Sequence, residues 1–309
     1  MKIAVLGAGG IGGFIGGALA KAGEDVTLIA RGSHLQTIRE GGLRVESVSL
    51  GNFECTVKAT NNPSEVGPVD LVLFCVKAYD TDSALETIGP LIGENTIVLS
   101  FQNGVDNEEK IAEKLGKARV LGGAIGVESF IAHPGLIQQT WGPVMFAMGE
   151  MDGSITPTTK KIHASFTNAG LKCELSNCIR EVLWEKFTFI CPIAGVCCVA
   201  RASIGEVMAF EAARNLYLTA IREVDAVTRA HGVHLVDDIV ERTFAQAVRA
   251  YKRTKPSMLR DLERGKRLEI DALSGTVCRL GDELSVSTPV HGFIYASLKP
   301  QDDRVDRSK

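Results

Sequence analysis

Lys2-Ile3-Ala4-Val5-Leu6-Gly7-Ala8-Gly9-Gly10-Ile11-Gly12 stands at the start of the chain. Its first five residues form a short apolar run of the length and β-branched character of a buried parallel strand. The glycines that follow fit G-x-G-x-x-G. Small and apolar residues continue to Ala22, Gly23 stands where a helix would end, and residues 26–30 are a second apolar run. Strand, glycine turn, helix and strand in this order point to a βαβ unit that binds a dinucleotide, the alternative being a glycine-rich turn in an ordinary α/β domain that binds none. Gly7 permits the tight turn, Gly9 lets a pyrophosphate approach the backbone, and Gly12 lets helix and strand pack closely. The cofactor loop is therefore Gly7, Ala8, Gly9, Gly10, Ile11 and Gly12, with exposed N–H groups and the helix dipole facing the diphosphate.

The end of the second strand selects the cofactor. A unit that prefers NAD places Asp or Glu there to hold the ribose 2′-hydroxyl. This chain has Ile29-Ala30-Arg31, with no acid and a guanidinium nineteen residues after Gly12. Arginine matches a 2′-phosphate through its planar fork, so NADP(H) is expected. The alternative is a solvated loop arginine.

At 309 residues the chain is long enough for two domains, each with its own core. A net charge of −3 gives no basic surface for nucleic acid. No apolar stretch reaches the length needed to span a membrane. Met1 leads directly into the first strand, leaving no room for a signal peptide. The eight cysteines show no metal spacing, and Cys75, Cys191, Cys197 and Cys198 sit in apolar runs, as buried free thiols do. His231 and His234 flank Gly232 and read as loop residues. A reduced, cytoplasmic protein is expected.

Along the chain, Ser33-x-x-Gln36 fits a capping box for a short helix ended by Gly41-Gly42. Residues 43–49 and 53–60 read as a hairpin or an irregular excursion. The run 70–76 has the continuous apolarity of a strand covered on both faces. A helix before Pro90, a strand at 96–100 and a helix ending before Gly116 follow. Residues 119–149 read as short strands with turns at Pro134-Gly135 and Gly142-Pro143, then a helix over 156–169 and a last strand over 171–175. Beyond residue 178 the pattern is helical: 206–230, 236–250, 257–264, 269–284 and 289–298, with Thr288 and Pro289 as N-cap and first helical residue. The tail from Pro300 is polar and reads as frayed. The expectation is an α/β fold: a Rossmann-type dinucleotide-binding domain over 1–177, then an all-helical domain over 178–309. The long apolar helices offer a face for a second subunit, a homodimer.

Lys77 and Asn103 each follow an apolar strand at its carboxyl end, where open α/β sheets place ligands. A strand terminator and an Asn-Gly turn are the plain alternatives. In the helical half, Lys186, Ile190 and Ala194 are spaced by four and share one helix face, with Pro192 a source of kinking. A lysine against an apolar wall loses solvation unless an anion or substrate meets it; a lysine reaching back to water is the alternative. Ser257 reads as an N-cap and Glu269 as an exposed acid in a first helical turn.

The chain resembles the ketopantoate reductase (2-dehydropantoate 2-reductase) family nearly end to end. The resemblance is carried by the glycine motif with Arg31, Val76-Lys77, Gln102-Asn103-Gly104, Trp184-Glu185-Lys186, Ser257-Met258-x-x-Asp261 and Glu269-Ile270-Asp271. It implies an NADPH-dependent reductase with its site in the cleft between the two domains, a small 2-oxo acid as substrate and a place in pantothenate biosynthesis. It also implies roles: Lys186 the general acid, Glu269 orienting substrate and lysine, Ser257 holding substrate, and Asn103 and Lys77 near the nicotinamide. The chemistry agrees, since an ammonium both stabilises a developing alkoxide and donates its proton.

The family's motif usually carries asparagines four and eight residues after the lysine, near or lining the substrate pocket. This chain has Ile190 and Ala194 there. A pocket without those amides discriminates differently. Two alternatives therefore accompany ketopantoate reduction. One is reduction of a different 2-oxo acid or ketone, and the other is a non-catalytic NADP-binding sensor.

Overall fold

The computed structural model describes residues 1–249 and 254–307, the side chains of 143, 144 and 307 excepted. It divides into two compact units, residues 1–102 with 107–179, and residues 103–106 with 180–309.

The first unit is built on one sheet. Its strands are β1 (Lys2–Leu6), β2 (Asp25–Ile29), β3 (Leu43–Ser47), β4 (Phe53–Cys55), β5 (Lys58–Thr60), β6 (Val69–Phe74), β7 (Ile92–Ser100), β8 (Val120–His133), β9 (Leu136–Glu150) and β10 (Glu174–Leu175). Their order is β4-β3-β9-β8-β7-β6-β1-β2-β5, with β10 beside β9. Pairing is parallel except between β3 and β4 and between β8 and β9. Helices α1 (Gly10–Lys21), α2 (Gly32–Gly41), α3 (Thr81–Thr87), α4 (Asn107–Leu115) and α5 (Pro157–Asn168) connect the strands.

Both faces of the central strands are buried, which explains their continuous apolarity. Alternate residues of β1 and β6 enter different cores, as a period of two demands. Ile3, Val5, Leu71 and Leu73 pack with Phe14, Leu35, Ile38 and Phe166 of α1, α2 and α5. Ala4, Leu6, Val72 and Phe74 pack with Leu85 of α3 and Ile111 of α4.

The second unit is helical: α6 (Ile179–Ala200), α7 (Ile204–Ala209), α8 (Glu211–Ala230), α9 (Ile239–Arg249), α10 (Ser257–Glu263), α11 (Thr276–Leu284) and α12 (Pro289–Arg307). Trp184, Phe187, Tyr217, Ile221, Val224, Leu273 and Ile294 centre its core. The α/β unit followed by a helical unit is the expected fold class.

Several local expectations are corrected. Ser33 is not the N-cap: α2 starts at Gly32, with Arg31, two residues before Ser33, at its N-cap and no side-chain bond there. The hairpin expected over 43–60 forms between β3 and β4, and only residues 58–60 depart from it, as β5 lying parallel to β2. Residues 120–150 are two long strands, not several short ones, turning at Pro134-Gly135. Gly142-Pro143 is no turn but lies within β9, near a register shift between Gly126 and Glu128 on β8. The expected helix 206–230 is two, parted at Phe210, and the first starts at a capping box made by Ser203 and Glu206. The helix expected over 236–250 begins at Ile239, and residue 250 lies outside the described residues. A π-helical turn, Asp271–Gly275, leads into α11, so Glu269 precedes the helix. The tail is not frayed: α12 runs through Pro300 to Arg307 and buries Asp302 completely.

One more expectation is corrected by α6, which is long and apolar enough to cross a membrane. Its apolar residues are instead mostly spent on the core of the helical unit.

Candidate active site

The glycine turn sits at the carboxyl end of β1. Gly7 has φ +97°, and a Cβ there would lie 2.7 Å from the Val76 nitrogen. At Gly12 a Cβ would meet the Gly7 carbonyl oxygen at 2.3 Å, which is the close helix-to-turn packing the motif requires. At Gly10 it would strike the Ser129 carbonyl oxygen of β8 at 2.1 Å. Gly9 differs from all three, because a Cβ there would meet nothing within 4 Å. Open space therefore lies against the backbone at the N-cap of α1, where no side chain bonds the first turn. The first-turn N–H groups have no intrahelical acceptors, so an anionic diphosphate suits this place. The residues present fit a dinucleotide.

His34 is a part of this loop that the sequence reading missed. Its Nδ1 accepts the Gly135 N–H at 3.0 Å, which leaves Nε2 to donate to the Ala8 carbonyl at 3.0 Å. The ring thus ties the glycine turn to the β8–β9 connection. Burial depresses its basicity, the Ala8 bond opposing this only in part. The signal available was a histidine three residues beyond Arg31, which spacing alone does not distinguish from a surface residue.

Arg31 ends the β2 connection with its side chain 78% exposed, and its Nη1 lies 3.8 Å from Asp80. So exposed a pair holds the guanidinium weakly. Lys77 is half-buried just beyond β6 and caps a short 3-10 turn, residues 78–80. The neighbouring Val76 carbonyl accepts from Gln102 Nε2 at 3.0 Å, and the same amide donates to Thr81 Oγ1 at 2.8 Å. Gln102 therefore fixes the backbone on which Lys77 stands. Beside the turn, burial pushes the Cys75 thiol up to about 12, so it is no nucleophile.

In the helical unit, α6 carries Lys186, Ile190 and Ala194. Lys186 and Ile190 are half-buried, and Ala194 lies in the apolar core. Buried Trp184 and Phe187 flank the lysine along the chain and anchor that turn. Pro192 lacks the N–H that would bond the Thr188 carbonyl, so the ladder is interrupted between Ile190 and Ala194.

Glu269 is 5% exposed, which overturns the expectation of an exposed carboxylate. Asn103, on the 103–106 segment, donates through Nδ2 to Glu269 Oε2 at 3.3 Å. Two residues 166 apart in sequence are thereby joined. Ser257 is exposed as the first residue of α10, and Pro256, not Ser257, is the N-cap. The helical unit thus presents a half-buried ammonium, a buried carboxylate with an amide donor on it, and an exposed hydroxyl. Among the described residues, no group of three or more His, Cys, Asp or Glu could hold a metal ion.

Residues 3–153 match the family model described as ketopantoate reductase PanE/ApbA, and residues 178–302 match the model for its C-terminal part. The chain belongs to the ketopantoate reductase family. Its relatives include the 2-dehydropantoate 2-reductase of Pyrococcus horikoshii, 30% identical over the whole of both chains. The uncharacterized oxidoreductase YkpB of Bacillus subtilis is 31% identical over 97% of this chain and 98% of its own. Among solved structures, a PanE/ApbA family ketopantoate reductase from Ralstonia eutropha JMP134 superposes with a TM-score of 0.91 at 34% identity, covering 99% of this chain and 100% of that one. A D-mandelate dehydrogenase bound to NADH and anilino(oxo)acetate shares the fold, with a TM-score of 0.90 at 24% identity, over 99% of this chain and 100% of its own. As a ketopantoate reductase family member the chain is an oxidoreductase, and its cofactor is a nicotinamide dinucleotide.

Proposed function

We propose that this enzyme reduces 2-dehydropantoate to pantoate with NADPH, with Lys186 as general acid. The observation that carries the reading is the Asn103–Glu269 hydrogen bond, formed in the unit whose α6 presents Lys186. The bound nicotinamide supplies a hydride to the carbonyl carbon. The residues of the chain do the rest. As the carbonyl oxygen gains negative charge, Lys186 stabilises it and delivers a proton from Nζ. Glu269, steadied by Asn103, orients substrate and lysine, and Ser257 and Lys77 add contacts to substrate and cofactor. A cationic lysine also suits an anionic 2-oxo acid. Eight free thiols fit a reducing cytoplasm, where pantoate would feed pantothenate synthesis.

NADP preference rests on Arg31. Its exposed guanidinium is free to leave Asp80 for a 2′-phosphate, which offers a bidentate, charge-assisted contact. Arg31→Ala is expected to raise the Kd of NADPH by about 10- to 100-fold, the worth of one such contact. NADH binding should change by no more than about twofold, as it lacks the phosphate. Titration with both cofactors checks this, and equal losses would remove the phosphate assignment.

A second reading keeps the machinery and changes the substrate. Ile190 is half-buried, so the turn of α6 above Lys186 offers aliphatic carbon where an amide is usual in the family, while Ala194 is spent on the core. Loss of NADPH absorbance with ketopantoate, run beside a panel of 2-oxo acids and ketones, separates the two. Ketopantoate turning over fastest supports the first reading. A bulkier apolar 2-oxo acid exceeding it by about tenfold, the worth of one or two buried methylenes, supports the second. Tight NADPH binding with no turnover on any compound would leave a binding protein.

A further inference from the structure

We propose that Asp302 is a positioning residue for Glu269, holding the backbone that carries this carboxylate against α12. The inference rests on the assignment of Glu269 to the substrate site. Residues 266–269 have no regular secondary structure between α10 and the π-helical turn, so their placement depends on bonds from elsewhere. Asp302 supplies one. Its Oδ1 accepts the Leu268 N–H at 2.6 Å, one residue before Glu269, from a side chain that is wholly buried. On the other side of Glu269, the Asp271 carboxylate accepts from the Tyr295 hydroxyl at 2.8 Å and from Lys299 at 2.6 Å. Tyr295, Lys299 and Asp302 are spaced by four and three residues and share one face of α12. Lys299 Nζ also stands 3.7 Å from Asp302 Oδ2, and Arg267 Nε 4.0 Å from Oδ1.

A buried carboxylate is a costly choice for a purely structural core. It loses its hydration, and apolar replacements for buried ion pairs are often neutral or stabilising. What an apolar residue cannot do is accept the Leu268 N–H. The backbone on both sides of Glu269 is thus pinned to one helix, while Asn103 holds its carboxylate. Burial alone would lower the Lys299 pKa, but bonds to Asp271 and Asp303 outweigh it and raise the pKa, so this cation stays charged.

The test is a double-mutant cycle in the full chain, read as kcat with NADPH and the best 2-oxo acid of the panel. Asp302→Ala is expected to lower kcat about tenfold, with the KM for NADPH changed by less than about twofold. Asp302→Asn keeps an acceptor and should retain at least about a third of kcat. In a Glu269→Gln background, Asp302→Ala should cost less than about a further twofold, because the group it positions is already disabled. Equal losses in both backgrounds, or full kcat in Asp302→Ala, would overturn the proposal. A fully active Glu269→Gln enzyme would remove the Glu269 assignment and this inference with it. An impaired Glu269→Gln beside an unaffected Asp302→Ala would sink the positioning role alone. Should Asp302→Ala not fold, Asp271→Asn carries the same cycle, its side chain being 49% exposed. The expected loss there is about two- to fivefold, vanishing in the Glu269→Gln background, and a multiplicative loss would overturn the proposal.

Discussion

Lys186→Ala is expected to lower kcat by about 10²- to 10⁴-fold, the range lost when a positioned proton donor is removed. NADPH affinity should stay within about twofold, because the glycine turn and Arg31 are untouched. The size of the effect follows from what the ammonium is proposed to do at one atom. Hydride arrival turns a neutral carbonyl oxygen into an alkoxide, and water is a poor acid to protonate it. Lys186 stands half-buried on a helix turn held by Trp184 and Phe187, so the backbone that carries it is fixed before substrate arrives. Lys186→Arg should not restore activity, since a guanidinium holds its proton too tightly and spreads its charge over a plane. Stopped-flow measurement of the chemical step, beside a Kd for NADPH, checks both halves. A kcat within about threefold of the parent enzyme would eliminate Lys186 as the acid.

The parts of this enzyme that were legible in the chain are those whose chemistry is local. Gly7 and Gly12 declare themselves because a tight turn and a close helix each forbid a side chain, and the structure shows both contacts at under 3 Å. Gly9 declares itself by the opposite condition, open space. The shared helix of Lys186, Ile190 and Ala194 follows from spacing by four. Glu269 was misread because its carboxylate meets Asn103, 166 residues away in sequence, and the Leu268 N–H just before it is bonded from α12. The tail beyond Pro300 was misread for a related reason. A polar, proline-broken stretch looks frayed until Asp302 is seen to bond Leu268, 34 residues away. The start of α7 had a local sign, the Ser203-x-x-Glu206 capping box, masked by the longer apolar periodicity around it. Gly142-Pro143 shows the converse, turn residues absorbed into a long strand at a register shift.

The helix that holds Glu269 through Asp302 is anchored at its other end by a buried histidine, and this gives the helical unit an acid limit. His291 is fully buried near the start of α12. Its Nε2 faces the Ala220 carbonyl at 3.1 Å and so carries the proton, while Nδ1 lies 3.2 Å from Ser274 Oγ and 3.8 Å from Cys191 Sγ. Burial, opposed in part by the Ala220 bond, takes its pKa down to about 4 from 6.5. Because the folded pKa is depressed below the unfolded one, unfolding takes up a proton between these values. Stability is therefore full above pH 6.5 and falls as the pH drops toward 4. The expected loss from this group between pH 7.5 and pH 5 is about 2 kcal/mol. Glu223 faces the same turn, accepting the Val290 and His291 N–H groups at 2.9 and 3.0 Å, and burial raises its pKa despite those two bonds. Its contribution has the opposite sign as the pH falls toward 4.5, since the folded state then takes up its proton before the unfolded one. The two are separated by His291→Gln, which keeps an amide donor for Ala220. Urea unfolding at a series of pH values should show the parent losing about 2 kcal/mol more than this variant over that span, whatever the variant's own stability. Parallel curves would mean that His291 is neutral for some reason other than burial, and that the start of α12 sets no acid limit.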